Sequence, residues 1–378
     1  MAIKTVADIN QYSGSSVNPL EYPEQLYELY SVPSFETGYP EIVKGKDIGS
    51  TKITVEEGDV LVCKINPRIN RVWVVKHNTE YPLLASSEWI VVRNRNIDSN
   101  YLKWYFSSPT FRTLLNSHVA GIGGSLTRAQ PKQVAKYPVP VSSHSEQQKV
   151  SENLDKVNEL IALRKEQLAK LDQLVKSRFI EMFGDPVSNS KNLPELTLPE
   201  LGEFGRGVSK HRPRNDPKLL GGEYPLIQTG EVANSELYIT SFENTYSELG
   251  LKQSKMWKSG TLCITIAANI AKTAILTFDA CFPDSVVGFK ANDKTNNIFI
   301  HYWFSFFQAI LEAQAPESAQ KNINLKVLSE LKIIVPPIEQ QNKFVAFVEQ
   351  TDKSKLTIQA SLDKLELLKK NLMQEYFG

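Results

Sequence analysis

The 378-residue sequence predicts an α+β protein built twice over. Two similar mixed α/β domains are separated by two long antiparallel coiled-coil helices in a pseudo-twofold, duplicated arrangement. Three observations predict this. Each half ends in a long helical pattern without interior Gly or Pro. The same ordered anchors occur in both halves. The segments between the helices are punctuated often by Gly, Pro and Asn, the mark of short strands and long loops. The expected boundaries are a first domain at 1–145, a central helix at 146–184, a second domain at 185–338 and a C-terminal helix at 339–378.

The helical segments come first because they are the most regular. One opens at Glu146-Gln147-Gln148 and closes at Phe183-Gly184; the other opens at Glu339-Gln340-Gln341 and closes at Phe377-Gly378. Both contain Leu-x-Lys-Leu, at 168–171 and 362–365. In the first, Leu154, Ile161, Leu168 and Val175 recur every seven residues, with Leu171 at the other seam position. In the second, Phe344, Ile358, Leu365 and Leu372 follow the same period, broken at Thr351 and flanked by Leu362. Such a stripe buries itself against another helix. Each rod is about 55 Å long at 1.5 Å per residue. Packing the two against each other within the chain is the economical arrangement, and a coiled coil made with another copy is the alternative.

The globular segments repeat in parallel. Tyr39-Pro40 through Gly45 resembles Tyr224-Pro225 through Gly230, Gly58-Asp-Val-Leu-Val-Cys63 resembles Gly260-Thr-Leu-Cys263, and Trp104-Tyr-Phe-Ser107 resembles Tyr302-Trp-Phe-Ser305. Strands are expected at 59–65, 71–75, 88–92, 261–266 and 273–278, with shorter helices near 101–115 and 299–312. Before the shared glycine-led strand the first domain has 57 residues, against 75 after Gly184 in the second. The first is therefore a trimmed version or borrows packing from the C-terminal helix.

Composition narrows the function class. No run approaches 18 apolar residues, so no membrane span is expected, and the N-terminal stretch lacks a secretory pattern. Cys63, Cys263 and Cys281 show no metal spacing, which fits a reducing cytoplasm. A formal charge of +1 hides an uneven distribution: residues 1–59 carry 4 basic and 10 acidic side chains, and 60–136 carry 11 and 3. Catalytic patterns are missing. There is no P-loop, the Gly121–Gly124 run follows a helix rather than a strand, and no Asn/Asp-Pro-Pro-aromatic segment supports methyl transfer. The five histidines form neither HExxH nor a GxSxG-linked triad, and Asp284 with Lys290 lacks the second acid of a nuclease site.

Several loops instead mix basic and amide side chains, which grip phosphates and read base edges. One carries Lys64, Asn66, Arg68, Asn70 and Arg71 between two expected strands. Arginine can meet guanine O6 and N7 with two parallel donors, and asparagine can do the same for adenine. A second carries Ser125, Thr127, Arg128 and Lys132 after two glycines that would let backbone amides approach a phosphate. In the second domain, Arg206, Lys210, His211, Arg212, Arg214 and Lys218 face only one acid in the segment, Asp216. Gln228, Thr229, Asn269, Lys272, Gln320 and Lys321 complete the DNA-contact candidates. No metal or catalytic residue is expected.

The duplicated layout, Pro336-Pro337-Ile338-Glu339-Gln340-Gln341, the Leu-x-Lys-Leu helices, Phe179-Ile-Glu-Met-Phe-Gly-Asp-Pro186 and Tyr224-Pro-Leu-Ile-Gln-Thr-Gly-Glu-Val232 together resemble the specificity subunit of type I restriction–modification systems. The resemblance implies two target-recognition domains, each reading one half of a split double-stranded DNA target, with the helices as a ruler between them. It implies docking of two methyltransferase (modification) subunits, to which restriction subunits add. It leaves this chain non-catalytic and cytoplasmic, with S-adenosylmethionine, ATP and magnesium on the partners. Contact residues do not carry over, because recognition loops vary freely in such families. A coiled-coil scaffold whose end domains bind other proteins, and a degenerate methyltransferase or nuclease, are the competing readings.

Overall fold

The computed structural model describes residues 2–117, 119–120, 127–314 and 323–378. The chain divides into two units, Met1–Glu166 with Gln359–Gly378, and Gln167–Ile358. Each is a mixed α/β head on a piece of both long helices.

In the first unit, Val60–Cys63 is an unbroken apolar run, buried at all four positions. Such a run suits a strand with neighbours on both edges, and it lies antiparallel between Val72–Val74 and Trp89–Val92. Gly58 turns the chain into this strand at φ +88°, where a side chain would be strained. Beside it, a second sheet runs in the order Ser16–Val17, Lys52–Thr54, Leu83–Ala85, Leu26–Tyr30, Glu41–Lys44. The second unit repeats this plan. Gly260 (φ +85°) leads into the buried strand Leu262–Thr265, flanked by Thr273–Leu276 and Val286–Ala291. Here Gly202–Arg206 and Tyr238–Ile239 widen the sheet to five strands, against three in the first unit. The first head is thus the trimmed one. It also takes Met373 and Phe377 of the second long helix into its core, where Phe377 packs on Tyr101 and Tyr105.

Sheet register corrects one sequence anchor. Leu226 pairs with Asn244 on one side and, in parallel, with Cys281 on the other. The residue so placed in the first unit is Leu29, between Glu41 and Leu84. The counterpart of Tyr224-Pro225-Leu226-Ile227 is therefore Tyr27-Glu28-Leu29-Tyr30. Tyr39-Pro40 lies instead at the head of the edge strand Glu41–Lys44. The two strands are adjacent and antiparallel, and the Tyr-Pro pair that marks the interior strand in one unit precedes the edge strand in the other, so short motif matching slips between them.

The long helices span His144–Phe183 and Ile338–Phe377, and both ends are offset by 194 positions. Aligning Glu-Gln-Gln on Glu-Gln-Gln misses that offset by one. The equivalent glutamines are Gln147 and Gln341. Both are buried, and each closes its helix start by donating to a carbonyl five residues earlier, on Ser142 and Pro336. The Gln147 side-chain oxygen accepts from the Asp98 amide, and that of Gln341 accepts from the Thr295 hydroxyl. The motif ties helix to head in both units.

Within each unit the two helical pieces run antiparallel. In the first, Asn153 meets Tyr376, Asn158 meets Lys369 and Lys165 meets Glu366. In the second, Asp172 pairs with Lys355, and Phe179 packs edge-on against Phe344 at 5.4 Å. Of the expected seam, Leu154, Ile161, Val175, Phe344 and Leu362 are buried, and Leu168, Leu171, Ile358, Leu365 and Leu372 are half-buried. Thr351, where the heptad breaks, is buried and returns its hydroxyl to the Phe347 carbonyl at 2.9 Å.

The second unit carries a pH dependence. His301, on the helix Asn297–Gln314, has its Nδ1 2.9 Å from the Thr273 hydroxyl, and burial lowers its pKa from 6.5 to about 4. Lys355 pushes in the same direction. An unfolded chain then binds a proton that the folded chain refuses as pH falls from 6.5 towards 4, so stability falls over that window. The half-buried ring makes the loss about 1–3 kcal/mol. Denaturation of the wild type and His301→Gln at pH 7 and pH 4.5 checks it: the wild type should lose more. Asp352, raised by burial, acts with the opposite sign and is common to both proteins.

Candidate nucleic-acid interface

The central strands of both heads end in a tight hairpin whose tip holds two non-glycine residues with left-handed backbone. In the first unit the hairpin closes between Cys63 and Arg71, and Asn66 and Asn70 adopt left-handed φ of 49° and 51°. In the second it closes between Thr265 and Lys272, with Ala268 and Ala271 at 63° and 57°. Asparagine tolerates this region through local hydrogen bonds, whereas alanine has no such compensation and costs on the order of 1–2 kcal/mol there. The same strained tip in both heads, on different residues, marks a geometry that is retained rather than incidental.

In the first unit this tip gathers some of the sequence-predicted residues and commits others to structure. Asn70 donates its amide to the Phe106 carbonyl, and Arg71, only 15% exposed, pairs with Glu36 at 2.9 Å. Those two side chains brace the loop. Lys64 is half-buried at its base, while Arg68 is exposed at its crest. The Asn66 amide N–H donates to Thr127 O, and Arg128 bridges to Ile65, so the segment 127–129 lies along the tip. Arg128 forms a two-point fork with Glu88, at 3.2 and 3.3 Å. Lys132 is exposed in the first turn of the short helix Pro131–Val134. Ser125 lies outside the described residues.

In the second unit three of the predicted loops converge on one open cleft of about 370 Å³. Arg214, Gln228 and Thr229 line it with Asn244, Ser209 and Ser285, and the hairpin tip closes it at Ala267 and Ala268. Gln228 caps the helix Thr229–Asn234, its backbone N–H donating to Glu231 at 3.1 Å. Arg214 pairs with Asp284, whose other oxygen lies 3.6 Å from Arg212. His211 rests on Asp216 at 3.1 Å, and the Lys218 backbone amide, followed by His211, holds that carboxyl below its usual range. Arg206, Lys210, Lys218 and Asn269 are exposed and Lys272 is half-buried outside the cleft lining. Gln320 and Lys321 lie outside the described residues.

Sequence reading missed Ser209, Asn244 and Ser285, the acids Glu36 and Glu88 that pair with the arginines, and the pairing of Asp284 with Arg214. Their only signal was polarity beside a strand end, which any surface turn shares. Ser209 is informative, because it is buried and its hydroxyl has no hydrogen-bond partner among the described residues. Among those residues, no helix is long and apolar enough to cross a membrane.

Paired heads with matching hairpin tips, one flanked by arginine and asparagine and the other closing a cleft lined by arginine, asparagine and glutamine, have the layout and chemistry of a duplicated DNA-recognition protein. Comparison with known proteins agrees. Residues 195–367 match the family model for the type I restriction modification DNA specificity domain. A Methanocaldococcus jannaschii protein, provisionally named a type I restriction enzyme MjaX specificity subunit, is 21% identical over 345 residues, covering 89% of this chain and 81% of that one. The fold matches a chain solved in work on complex assembly and conformational transition of the type I R-M system (TM-score 0.62, 17% identity, covering 100% and 97% of the two chains). It also matches the type I restriction–modification S subunit from M. genitalium (TM-score 0.55, 12% identity, covering 100% and 96%). Residues 195–367 thus match a type I restriction modification DNA specificity domain, and the chain over most of its length is similar to specificity subunits of such systems. Its business is DNA sequence specificity.

Proposed function

We propose that each unit reads one half of a split duplex target and that the chain directs an associated methyltransferase, and a nuclease where one joins, to that sequence. The observation that carries this is the duplication: two heads of equivalent strand order present the same hairpin tip with different side chains, as reading two different half-targets requires. The chemistry then belongs to partner subunits, which would supply S-adenosylmethionine, ATP and magnesium in the cytoplasm. Exposed leucines on both long helices, Leu163 and Leu174 on the first and Leu356 and Leu367 on the second, support docking of modification subunits there.

Exchanging residues 185–338 for the corresponding segment of a specificity subunit with another target should change one half of the modified sequence and leave the other intact. Methylation-site sequencing of cells expressing the chimera with the modification subunit reads the outcome directly. Changes in both halves, or in neither, would refute the assignment of one half-target to each unit.

A further inference from the structure

The two heads reach one arrangement by different routes. In the first, Arg128 comes from a segment downstream of the sheet, lies along the hairpin tip through its bridge to Ile65, and is forked by Glu88, one residue before the strand Trp89–Val92. In the second, Arg214 comes from a loop upstream of the sheet and lines the cleft closed by the tip residues Ala267 and Ala268. It is held by Asp284, two residues before the equivalent strand Val286–Ala291. The strands and the tips occupy corresponding places and the acids lie one position apart in register, but the arginines occupy unrelated places in the duplicated sequence. Common descent from one ancestral unit explains the strands and does not explain the arginines.

We infer that a carboxylate-aimed arginine beside the left-handed hairpin tip is the guanine-reading element of each head, Arg128 in the first and Arg214 in the second, with Glu88 and Asp284 as positioning residues. This rests on the DNA-reading function proposed above. A guanidinium held by a carboxylate on one edge keeps its remaining N–H groups in a fixed plane. That is the preorganisation needed to meet guanine O6 and N7 together. About half of each arginine side chain is exposed, 47% and 45%, so the two-point contact of Arg128 with Glu88 and the single contact of Arg214 with Asp284 leave donors free of the carboxylate. Groups able to meet a neighbouring base edge adjoin each arginine. The half-buried Asn66 lies beside Arg128 at the first tip, joined to its segment through Thr127, and Gln228, Thr229 and Asn244 line the second cleft with Arg214.

The test uses the full chain co-expressed with its modification subunit, with modified sites mapped by methylation sequencing. Arg128→Ala and Arg214→Ala should each relax a single G·C position by roughly tenfold to a hundredfold, the former in one half-target and the latter in the other. Arg128→Lys and Arg214→Lys separate base reading from phosphate contact. Lysine keeps the charge and loses the fork, so relaxation at the same position with unchanged salt dependence of binding supports the inference. Glu88→Gln and Asp284→Asn should relax that position several-fold. Unchanged sites, a uniform loss at every sequence, or full rescue by lysine would overturn it. A wild-type complex that modified no defined sequence would instead overturn the underlying functional reading.

Discussion

Asp59→Ala should destabilise the first unit by about 3–5 kcal/mol, because it strips a largely buried cation of its one buried partner. Asp59 is 1% exposed and receives two parallel hydrogen bonds of 2.7 Å from Arg93, while its Oδ2 also accepts from the Glu56 amide at 2.8 Å. Arg93 is itself only 15% exposed, lies 5.3 Å from the Tyr12 ring centre and reaches Glu56 at 2.9 Å. Alanine would remove the stronger anchor and leave one exposed carboxylate to face the guanidinium. The second head shows how the site can be built without charge. Its counterpart of Asp59 is Thr261, whose hydroxyl returns to the Lys258 carbonyl at 2.7 Å, and the counterpart of Arg93 is the exposed Lys290. The backbone turn is the same, since Asp59 N donates to Glu56 O and Thr261 N to Lys258 O. The double variant Asp59→Thr with Arg93→Lys should therefore recover stability to within about 1 kcal/mol of wild type, as removing both partners of a buried pair often does. Hydrogen exchange of the Val60–Cys63 amides measures both. A single variant as stable as wild type, or a double variant as weak as the single, would defeat the argument.

What the sequence discloses here follows the reach of each interaction. The long helices are legible because a seven-residue period repeats over forty positions, and the seam at Leu154, Ile161 and Val175 reports itself locally. The reduced first head shows in the shorter run before Gly58, and the structure renders it as a three-stranded sheet where the second has five. The fate of the arginines is not legible. Arg71 looks as available as Arg68 in the sequence, yet its partner Glu36 is 35 residues away; Arg128 and Glu88 are 40 apart, and Arg214 and Asp284 are 70 apart. Folding brings these together through strand order, which composition does not encode. The conformation of the hairpin tips is not legible either. Asn66 and Asn70 suit base edges by their amides, and they also hold left-handed backbone, which the second head does with alanine.

Phe179→Ala should cost the second unit about 3–5 kcal/mol, the upper range for truncating a core aromatic. Phe179 is fully buried, and four rings close on it: Phe299 stacked at 5.3 Å, with Phe183, Phe306 and Phe344 at 5.0, 5.1 and 5.4 Å. The ring joins three elements, since Phe299 and Phe306 belong to Asn297–Gln314, Phe344 to the second long helix and Phe179 to the first. Collapse around the missing ring would require all three to move together, so most of the cavity should persist. The corresponding position in the first unit holds Met373, a flexible side chain that fills irregular space. Phe179→Met should therefore lose less than half as much as alanine, by following the packing already used there. Leu174→Ala, at a site 49% exposed on the same helix, is the control and should stay within about 0.5 kcal/mol. Urea denaturation read by tryptophan fluorescence, with hydrogen exchange of Leu262–Thr265 to locate the loss, decides the case. If alanine at 179 proves no worse than alanine at 174, the aromatic cluster is not what ties the helices to the second head.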